Sequence, residues 1–408
     1  MGEKRDIVIV GGGPAGMVAG LLFARAGLRV TVLEKHKDFL RDFRGDTVHP
    51  STLRIFDDLG VLDRLLARPH DKVRGIGVWI GGRHYEIADL SSFDPRWNFL
   101  AMMPQWHFLD FVAEEARRYS GFELLMEAEA LGLSQQEGRV GGVHYRSGGA
   151  EREVEARLTI ACDGRRSVLR DASALPLEDL GAPMDVFWFR MPKERSAENE
   201  TAGVLASGRI IALIDRGDYW QCAWVFPKGQ AEQVRAKGLD AFRAGIASVA
   251  PMLAGSVATI QSWDDVKLLT VALDRLERWH RPGLLVIGDA AHAMSPIGGV
   301  GINIAVQDAV AAANILAGPM AAGADPDPLL AAVQKRRLPA VRLMQNFQAA
   351  AQRRIVVPLL ERETGEVRAP LPLRLLNRFP GLRRFPAAFL GFGYRAERVR
   401  SPEDVRPG

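Results

Sequence analysis

Ile7-Val-Ile-Val-Gly-Gly-Gly-Pro-Ala-Gly16, close to the start of the chain, decides the fold. Its β-branched residues predict a short buried strand that ends where the glycines begin. An apolar helical pattern follows from Pro14 to Ala26, and a second strand from Arg29 to Leu33 ends in Glu34. Strand, helix and strand in this order predict a βαβ unit.

Gly11, Gly13 and Gly16 have the G-x-G-x-x-G spacing of a dinucleotide-binding loop. In such a loop the glycines permit a tight turn, a close approach of the pyrophosphate and close packing of helix on strand. Glu34 stands where a carboxylate binds a ribose 2′-hydroxyl, which favours NAD or FAD over NADP at this loop. A glycine-rich turn without a ligand is the alternative for the bare loop, but its strand, helix and Glu34 together favour a dinucleotide.

The composition of the 408 residues is that of an ordinary globular protein, with 47% apolar and 25% charged residues. It excludes a disordered or collagen-like chain, and the net charge of +4 is too small to predict a nucleic-acid partner. Two cysteines can form neither a disulfide framework nor a four-cysteine zinc site. With no uninterrupted apolar run of about 18 residues, we expect a cytoplasmic protein without a transmembrane segment or a metal. The oligomeric state stays open.

Two further turns follow predicted strands. The first is in Ile160-Ala-Cys-Asp-Gly-Arg-Arg-Ser-Val-Leu-Arg170, and the second is in Leu285-Val-Ile-Gly-Asp-Ala-Ala-His292, followed by Pro296-Ile-Gly-Gly-Val-Gly-Ile-Asn303. Asp289, at a strand end, can accept hydrogen bonds from polyol hydroxyls, and the bare amides after Pro296 suit an electron-rich ring. A glycine-rich helix cap with Asp289 as a turn residue is the alternative.

With these three motifs, the sequence resembles the FAD-dependent aromatic hydroxylases, the single-component flavoprotein monooxygenases related to para-hydroxybenzoate hydroxylase. The resemblance covers residues 5 to 345. It implies an α/β fold, with a Rossmann-like FAD-binding domain, an inserted antiparallel β-sheet substrate domain and a helical C-terminal part. The expected FAD-binding domain is discontinuous and comprises residues 1–72, 100–180 and 272–345. The substrate domain comprises residues 73–99 and 181–271, and a tail of residues 346–408 follows.

The resemblance also implies which residues bind FAD. The glycine loop would hold the pyrophosphate, Arg44 would reach the phosphates, Asp289 would bind the ribityl chain, and the residues after Pro296 would meet the flavin ring. The full expected set is Gly11, Gly13, Pro14, Ala15, Gly16, Glu34, Lys35, Arg44, Gln105, Asp163, Gly288, Asp289, Pro296, Gly299, Gly301, Ile302 and Asn303.

The activity that the resemblance implies is hydroxylation of a phenolic or polycyclic aromatic substrate. NADPH or NADH would reduce FAD, and O₂ would then form a C4a-hydroperoxide that transfers its distal hydroxyl in a dry pocket. Candidates for the pocket wall alternate along the strands of the inserted sheet, although such stripes are also typical of core packing. They are Trp79, Phe187, Phe189, Trp220, Cys222 and Trp224. No base is identified; among the histidines His49 is the candidate, and Pro296 is expected beside the flavin.

Other interpretations stay open. A flavin-dependent halogenase shares the framework, but its Trp-x-Trp-x-Ile-Pro motif is not in this sequence. A prenyl-type reductase or a non-catalytic flavin-binding protein would be recognised by its lack of oxygen transfer. In the tail, Pro370 to Val399 combines Leu and Phe with several arginines, which predicts either a solvated basic face or a peripheral membrane patch.

Overall fold

The computed structural model describes residues 4–40, 47–193, 201–362, 365 and 367–404. The strands are β1 Arg5–Val10, β2 Val30–Leu33, β3 Thr47–Val48, β4 Asp71–Val73, β5 Gly75–Ile80, β6 Arg83–Asp89, β7 Leu100–Met102, β8 Phe122–Leu125, β9 Glu129–Gln136, β10 Arg139–Ser147, β11 Ala150–Ala161, β12 Leu177–Asp179, β13 Met184–Pro192, β14 Ala202–Ala206, β15 Arg209–Asp215, β16 Tyr219–Pro227, β17 Lys267–Leu269, β18 Asp274–Leu276, β19 His280–Arg281 and β20 Leu284–Val286. The helices are α1 Pro14–Arg25, α2 Pro50–Asp58, α3 Leu62–Leu66, α4 Gln105–Ala116, α5 Val168–Ser173, α6 Ala231–Ala236, α7 Leu239–Val249, α8 Gly301–Ala321, α9 Leu330–Ala351, α10 Val357–Leu360, α11 Leu371–Arg378 and α12 Arg384–Phe392.

An eight-stranded sheet carries the N-terminal βαβ unit. Five of its strands run parallel in the order β20-β11-β1-β2-β8, while β19, β10 and β9 add antiparallel pairs. Strand β1 is apolar on both faces because both are covered. Ile7 and Ile9 pack with α1, α4 and α8, whereas Val8 and Val10 pack in a second cluster with β10 and α9.

The predicted motifs directly follow strands whose carboxyl ends lie side by side in the sheet. Val10 pairs with Leu33 on one side and with Ala161 on the other, and Ala161 pairs with Val286. The turns that follow these four strands therefore lie along one edge of the sheet. Ligands of open α/β sheets bind at this edge.

A seven-stranded sheet has the order β17-β13-β16-β15-β14-β5-β6. It is antiparallel except for the pair β14 and β5, which come from distant parts of the chain and run parallel. The hairpin between β5 and β6 turns at Gly81 and Gly82, both with the positive φ that such two-residue turns require. Helix α7 covers one face of this sheet, and the other face meets the loop before α8. The predicted fold class, a Rossmann-like domain with an inserted sheet and a helical C-terminal part, is confirmed.

The C-terminal part contacts the seven-stranded sheet through α10, α11 and α12, and its end reaches α1 and α2. Helix α9 passes through a π-helical turn, Gln352–Val356, into α10. At the end of the described chain, Arg25 donates from Nη1 to the Ser401 carbonyl at 3.0 Å, and Arg398 forms an ion pair with Asp58.

One apolar segment, Ile297–Ala321, is long enough to cross a membrane by length and composition alone. The sequence predicts no such segment, because polar residues such as Asn303 and Asp308 interrupt the apolar run. In the structure 83% of its most apolar window is buried inside the protein, as in a core helix.

Candidate active site

The first glycine loop is built from close backbone contacts. A Cβ at Gly11, whose φ is +104°, would lie 2.4 Å from the Cys162 carbonyl oxygen, and one at Gly16 would lie 1.9 Å from the Gly11 carbonyl oxygen. A Cβ at Gly13 would meet no atom of the described chain within 4 Å. Gly11 and Gly16 are therefore required for packing, while Gly13 borders open space.

Helix α1 begins beside that space with Pro14 and Ala15. Among the described side chains none caps its first turn, whose N-cap residue is Gly13. The backbone N–H groups at a helix start have no intrahelical partner, and the helix dipole makes the same place attractive to phosphate. This end of α1 fits a pyrophosphate.

Glu34 lies against the same loop at the end of β2 and is 7% exposed. Its Oε2 accepts a hydrogen bond from Gly12 N at 2.9 Å, and its Oε1 accepts one from His36 N at 3.0 Å. A carboxylate offers about four acceptor positions in all, so ribose hydroxyls can add to these bonds. Lys35, the next residue, is exposed.

Asp163, in the second motif, caps a helix. Ser167 Oγ donates to Asp163 Oδ1 at 2.5 Å, and Leu169 N donates to Oδ2 at 3.3 Å at the start of α5. Burial raises the pKa of Asp163, and the bond from Ser167 opposes the rise. The side chain thus organises the turn after β11, whose Cys162 carbonyl touches Gly11.

The turn of the third motif approaches the first loop. Gly288 has a φ of +64°, and a Cβ there would lie 3.1 Å from Ala15 Cβ. The next residue, Asp289, accepts from Arg165 Nε at 3.1 Å, and both side chains are about one-third exposed. Arg165 Nη1 is buried with no hydrogen-bond partner among the described residues, so a donor remains beside Asp289 for a polar ligand.

Beneath Gly288 lies Asp308, a buried carboxylate that sequence reasoning missed. Its Oδ2 accepts from His292 Nε2 at 2.6 Å and from Gly288 N at 3.2 Å, and its Oδ1 accepts from Arg337 Nε at 2.9 Å. Burial opposes the charge, but His292 and Arg337 hold the pKa of Asp308 below its usual value. A charged residue inside the apolar pattern of α8 is the signal that could have found it.

The loop before α8 is held by the side chain of Asn303. Asn303 Oδ1 accepts from His49 N and Thr52 Oγ1, both at 2.8 Å, and Nδ2 donates to the Thr47 carbonyl at 3.1 Å. The Asn303 side chain is therefore occupied by hydrogen bonds at the start of α2. A ligand at this loop would instead contact the main chain of Gly301 and Ile302.

His49 is fully buried between that loop and the tail. Its Nδ1 donates to the Leu390 carbonyl at 2.8 Å. Burial lowers its pKa from 6.5 to about 4, against the opposing effect of the Leu390 and Gly299 carbonyls. His49 is consequently neutral near pH 7, with Nε2 as the unprotonated nitrogen on the side of Gly299.

Two other predicted positions, Gln105 and Pro296, lie within the described residues. Gln105 begins α4 directly after Pro104. Pro296 is partly buried and precedes Gly298 and Gly299, both of which have positive φ. Arg44 lies outside the described residues.

The six predicted substrate residues share one face of the seven-stranded sheet, the face that α7 covers. The members of this set are Trp79, Phe187, Phe189, Trp220, Cys222 and Trp224. Phe187 and Phe189 are fully buried, and Phe242 of α7 lies between them and Trp224, with ring centroids 5.5 to 6.1 Å apart. Five of these side chains pack in the core under α7, whereas Trp79 is half-buried with its ring beside that of His84.

The opposite face carries a row of small residues. Gly203, Ala212 and Ala223 are paired in register across β14, β15 and β16, and Trp188 of β13 ends the row. On this face Ile297, the residue after Pro296, packs in a cluster with sheet residues. Small side chains in a strand form no sequence pattern that marks a site, whereas the aromatic side chains on the other face of the same strands do form a pattern.

These residues fit FAD. The uncapped start of α1 suits the pyrophosphate, Glu34 the ribose, Asp289 a polyol chain and the glycines before α8 a flat ring. Among the described residues, no group of three or more His, Cys, Asp or Glu side chains is placed to hold a metal ion.

Comparisons with known proteins agree with this fit. Residues 4–347 match the family model described as FAD binding domain. A 6-methylpretetramide 4-monooxygenase of Streptomyces rimosus is 31% identical over 98% of this chain and 95% of its own. A probable NADH-specific resorcinol 4-hydroxylase of Rhodococcus jostii is 27% identical over 83% of this chain and 63% of its own. The crystal structure of PqsL, a probable FAD-dependent monooxygenase of Pseudomonas aeruginosa, shares the fold with a TM-score of 0.75 at 22% identity, over 88% of this chain and 98% of that one.

Proposed function

Because the chain belongs to the family of FAD-dependent aromatic monooxygenases, we propose that it inserts one oxygen atom into a hydrophobic phenolic or fused-ring substrate. It is an enzyme that uses FAD and NADPH or NADH. The observation that carries the proposal is the meeting of four turns, after β1, β2, β11 and β20, at one sheet edge. Bound FAD supplies electron transfer from the nicotinamide and the reaction with O₂, and the chain supplies position and shelter.

The proposed cofactor contacts follow the edge in order. The start of α1 at Gly13 to Ala15 binds the pyrophosphate, and Glu34 binds the adenosine ribose. Asp289 binds the ribityl chain, for which its contact with Arg165 would rearrange or be shared. The main chain from Gly299 to Ile302 meets the flavin ring. Asp308 and Asn303 position these groups from beneath.

The proposed substrate wall is the row of small residues on the seven-stranded sheet. Gly203, Ala212 and Ala223 put small side chains on this stretch of the sheet, against which a flat ring would lie, and Trp188 bounds the row. Trp188 Nε1 is buried and has no hydrogen-bond partner among the described residues, so a substrate oxygen can accept from it. The apolar character of this face excludes water, which protects oxygen transfer from unproductive side reactions.

We assign His49 a positioning role. A general base works best when its pKa lies near the working pH, and burial holds the pKa of His49 at about 4. It is therefore a poor acceptor for a phenol proton near neutral pH. Its contacts to Asn303 and Leu390 instead fix α2 against the loop that meets the flavin.

The same proposal covers the division of the chain. Residues 73–99 and 181–271 form the substrate part, and the other segments up to 345 form the FAD part. A cytoplasmic location is proposed from the two free cysteines, Cys162 and Cys222.

The test begins with the absorbance spectrum of the purified protein, which should show the two bands of oxidised flavin. NADH and NADPH oxidation is then measured with 6-methylpretetramide, resorcinol and larger phenols, under ¹⁸O₂. We expect substrate-stimulated oxidation and a product that contains one ¹⁸O atom. Bound FAD with halogenated product, or with reduction of substrate in the absence of O₂, would contradict oxygen insertion. Failure to bind FAD after reconstitution would contradict the cofactor assignment itself.

A further inference from the structure

The tail helices expose a cluster of large apolar side chains. We call this cluster the tail patch; its members are Leu371, Leu375, Phe379, Leu382 and Phe385. Each of them is between 40% and 70% exposed, although helices α11 and α12 are themselves held along the edge strand β6. Exposed apolar side chains scattered singly are normal, but a contiguous group on one segment marks an interaction surface.

The patch continues onto a neighbouring helix. Phe389 of α12 lies 5.2 Å from Phe347 of α9, measured between ring centroids. Phe347 and Leu343, which share α9, are about two-fifths exposed. Three helices therefore present apolar side chains to solvent on this side of the molecule.

The charged residues of the patch segment itself are all basic. Between Leu371 and Phe392 the sequence contains four arginines and no acidic residue. Arg383 forms an ion pair with Glu86 and is held against the sheet. Arg378 and Arg384 lie over the exposed rings of Phe379 and Phe385, 5.5 and 5.7 Å from their centroids.

An open cleft of about 510 Å³ adjoins the patch between β6 and α11. Three arginines line it, Arg83, Arg374 and Arg378, together with His84, Tyr85 and Asn377. Donors of this kind bind phosphate groups. Apolar side chains and an arginine-lined cleft thus lie side by side.

We propose that the tail patch docks the enzyme on an anionic phospholipid surface. The leucines and phenylalanines enter the boundary between headgroups and acyl chains, while Arg374, Arg378 and Arg384 pair with lipid phosphates. Short amphipathic helices with a basic face bind membranes in this way, without crossing them. A second copy of the chain is a poor occupant, because a symmetric contact would bring two uniformly positive patches together. The proposal does not depend on the substrate.

The test is co-sedimentation of the full FAD-loaded protein with vesicles of phosphatidylcholine alone or mixed with phosphatidylglycerol. We expect binding to the mixed vesicles only, weakened by salt. Each arginine near an anionic surface contributes about 1 kcal/mol, so R374A/R378A/R384A should partition about a hundredfold more weakly. F379S/F385S should also lose binding at unchanged charge.

Matched controls lie elsewhere on the surface. Arg152→Ala removes an exposed arginine from β11, and Met252→Ser removes an exposed apolar side chain far along the chain from the tail. Both should bind vesicles as the unmodified protein does, and all variants should retain FAD and the thermal midpoint. Equal binding to both vesicle types, no binding by the intact protein, or undiminished binding by the arginine variant would overturn the proposal. Dimerisation that is lost in F379S/F385S would assign the patch to a second copy instead.

Discussion

The cofactor edge of the eight-stranded sheet and the seven-stranded sheet beside it are stabilised in different ways. The edge consists of glycines at backbone contact and of buried polar groups such as Asp308 and Asn303, whose described hydrogen bonds fix neighbouring loops. The seven-stranded sheet has an aromatic core under α7 on one face and small apolar residues on the other. The first arrangement suits a ligand of fixed shape. The second places an aromatic core under α7 and leaves the opposite face of the sheet for the proposed substrate.

The largest effect is expected at the cofactor edge. Asp308→Asn should lower the free energy of unfolding by about 3 to 5 kcal/mol, because it removes the nearer of the two carboxylates paired with the buried Arg337 and leaves only Glu397, 3.7 Å from Arg337 Nη1. FAD should also bind more weakly, since Gly288 loses its support. Denaturant unfolding and FAD titration measure the two effects.

The control for Asp308→Asn is Asp240→Asn, which alters an exposed carboxylate paired with Arg243 in α7. It should change stability by less than about 0.5 kcal/mol. An Asp308 variant as stable as this control would show that the polar network is not what holds the edge.

The second effect is a pH dependence centred on His49. The folded pKa of about 4 lies below the unfolded value of 6.5, so the unfolded chain binds the proton first as pH falls. Above pH 6.5 the protonation of His49 does not affect the free energy of unfolding. Between pH 6.5 and 4 it lowers this free energy progressively, by about 3 kcal/mol in all. Thermal unfolding across this range measures it. His49→Gln should flatten this part of the curve, and parallel curves for the two proteins would contradict the buried neutral histidine.

The third effect separates the two faces of the seven-stranded sheet. Phe242→Leu, beneath the aromatic core, should lower the free energy of unfolding by about 1 to 2 kcal/mol and leave KM unchanged. Ala212→Leu, on the opposite face, should change stability less but raise KM or redirect hydroxylation. A few methylene groups in an apolar pocket change discrimination by about tenfold or more. If Phe242→Leu altered KM and Ala212→Leu did not, the substrate would lie on the face that α7 covers.

Sequence patterns predicted the regions whose structure depends on local chemistry. The strand, glycine loop and helix around Gly11 to Gly16 follow from steric and dipole rules that act within a few residues. The position of Asp289 just after a strand follows from the same local rules, and its role at the ribityl chain stays a prediction. That the turns after different strands lie next to one another was predictable only because the carboxyl ends of parallel strands share one edge of the sheet.

The rest depended on contacts between distant segments. Alternation along β13 and β16 grouped Phe187 and Trp224 on one face correctly, but it could not say which face α7 would cover. Asn303 is predicted at the flavin, and its side chain also binds the start of α2, more than 250 residues away in sequence, which no local pattern indicates. Such pairings leave no pattern within a single strand or helix.

The most direct measurement is FAD titration of Gly13→Ala apoprotein. Gly13 has a φ of −76°, which alanine adopts freely, and its added Cβ would meet no described atom within 4 Å. The account predicts unchanged apoprotein stability, with FAD affinity reduced at least about tenfold because the pyrophosphate needs that space. Gly132→Ala in β9, where a Cβ also has room, should leave both quantities unchanged. Normal FAD binding by Gly13→Ala would contradict the placement of the dinucleotide on this loop.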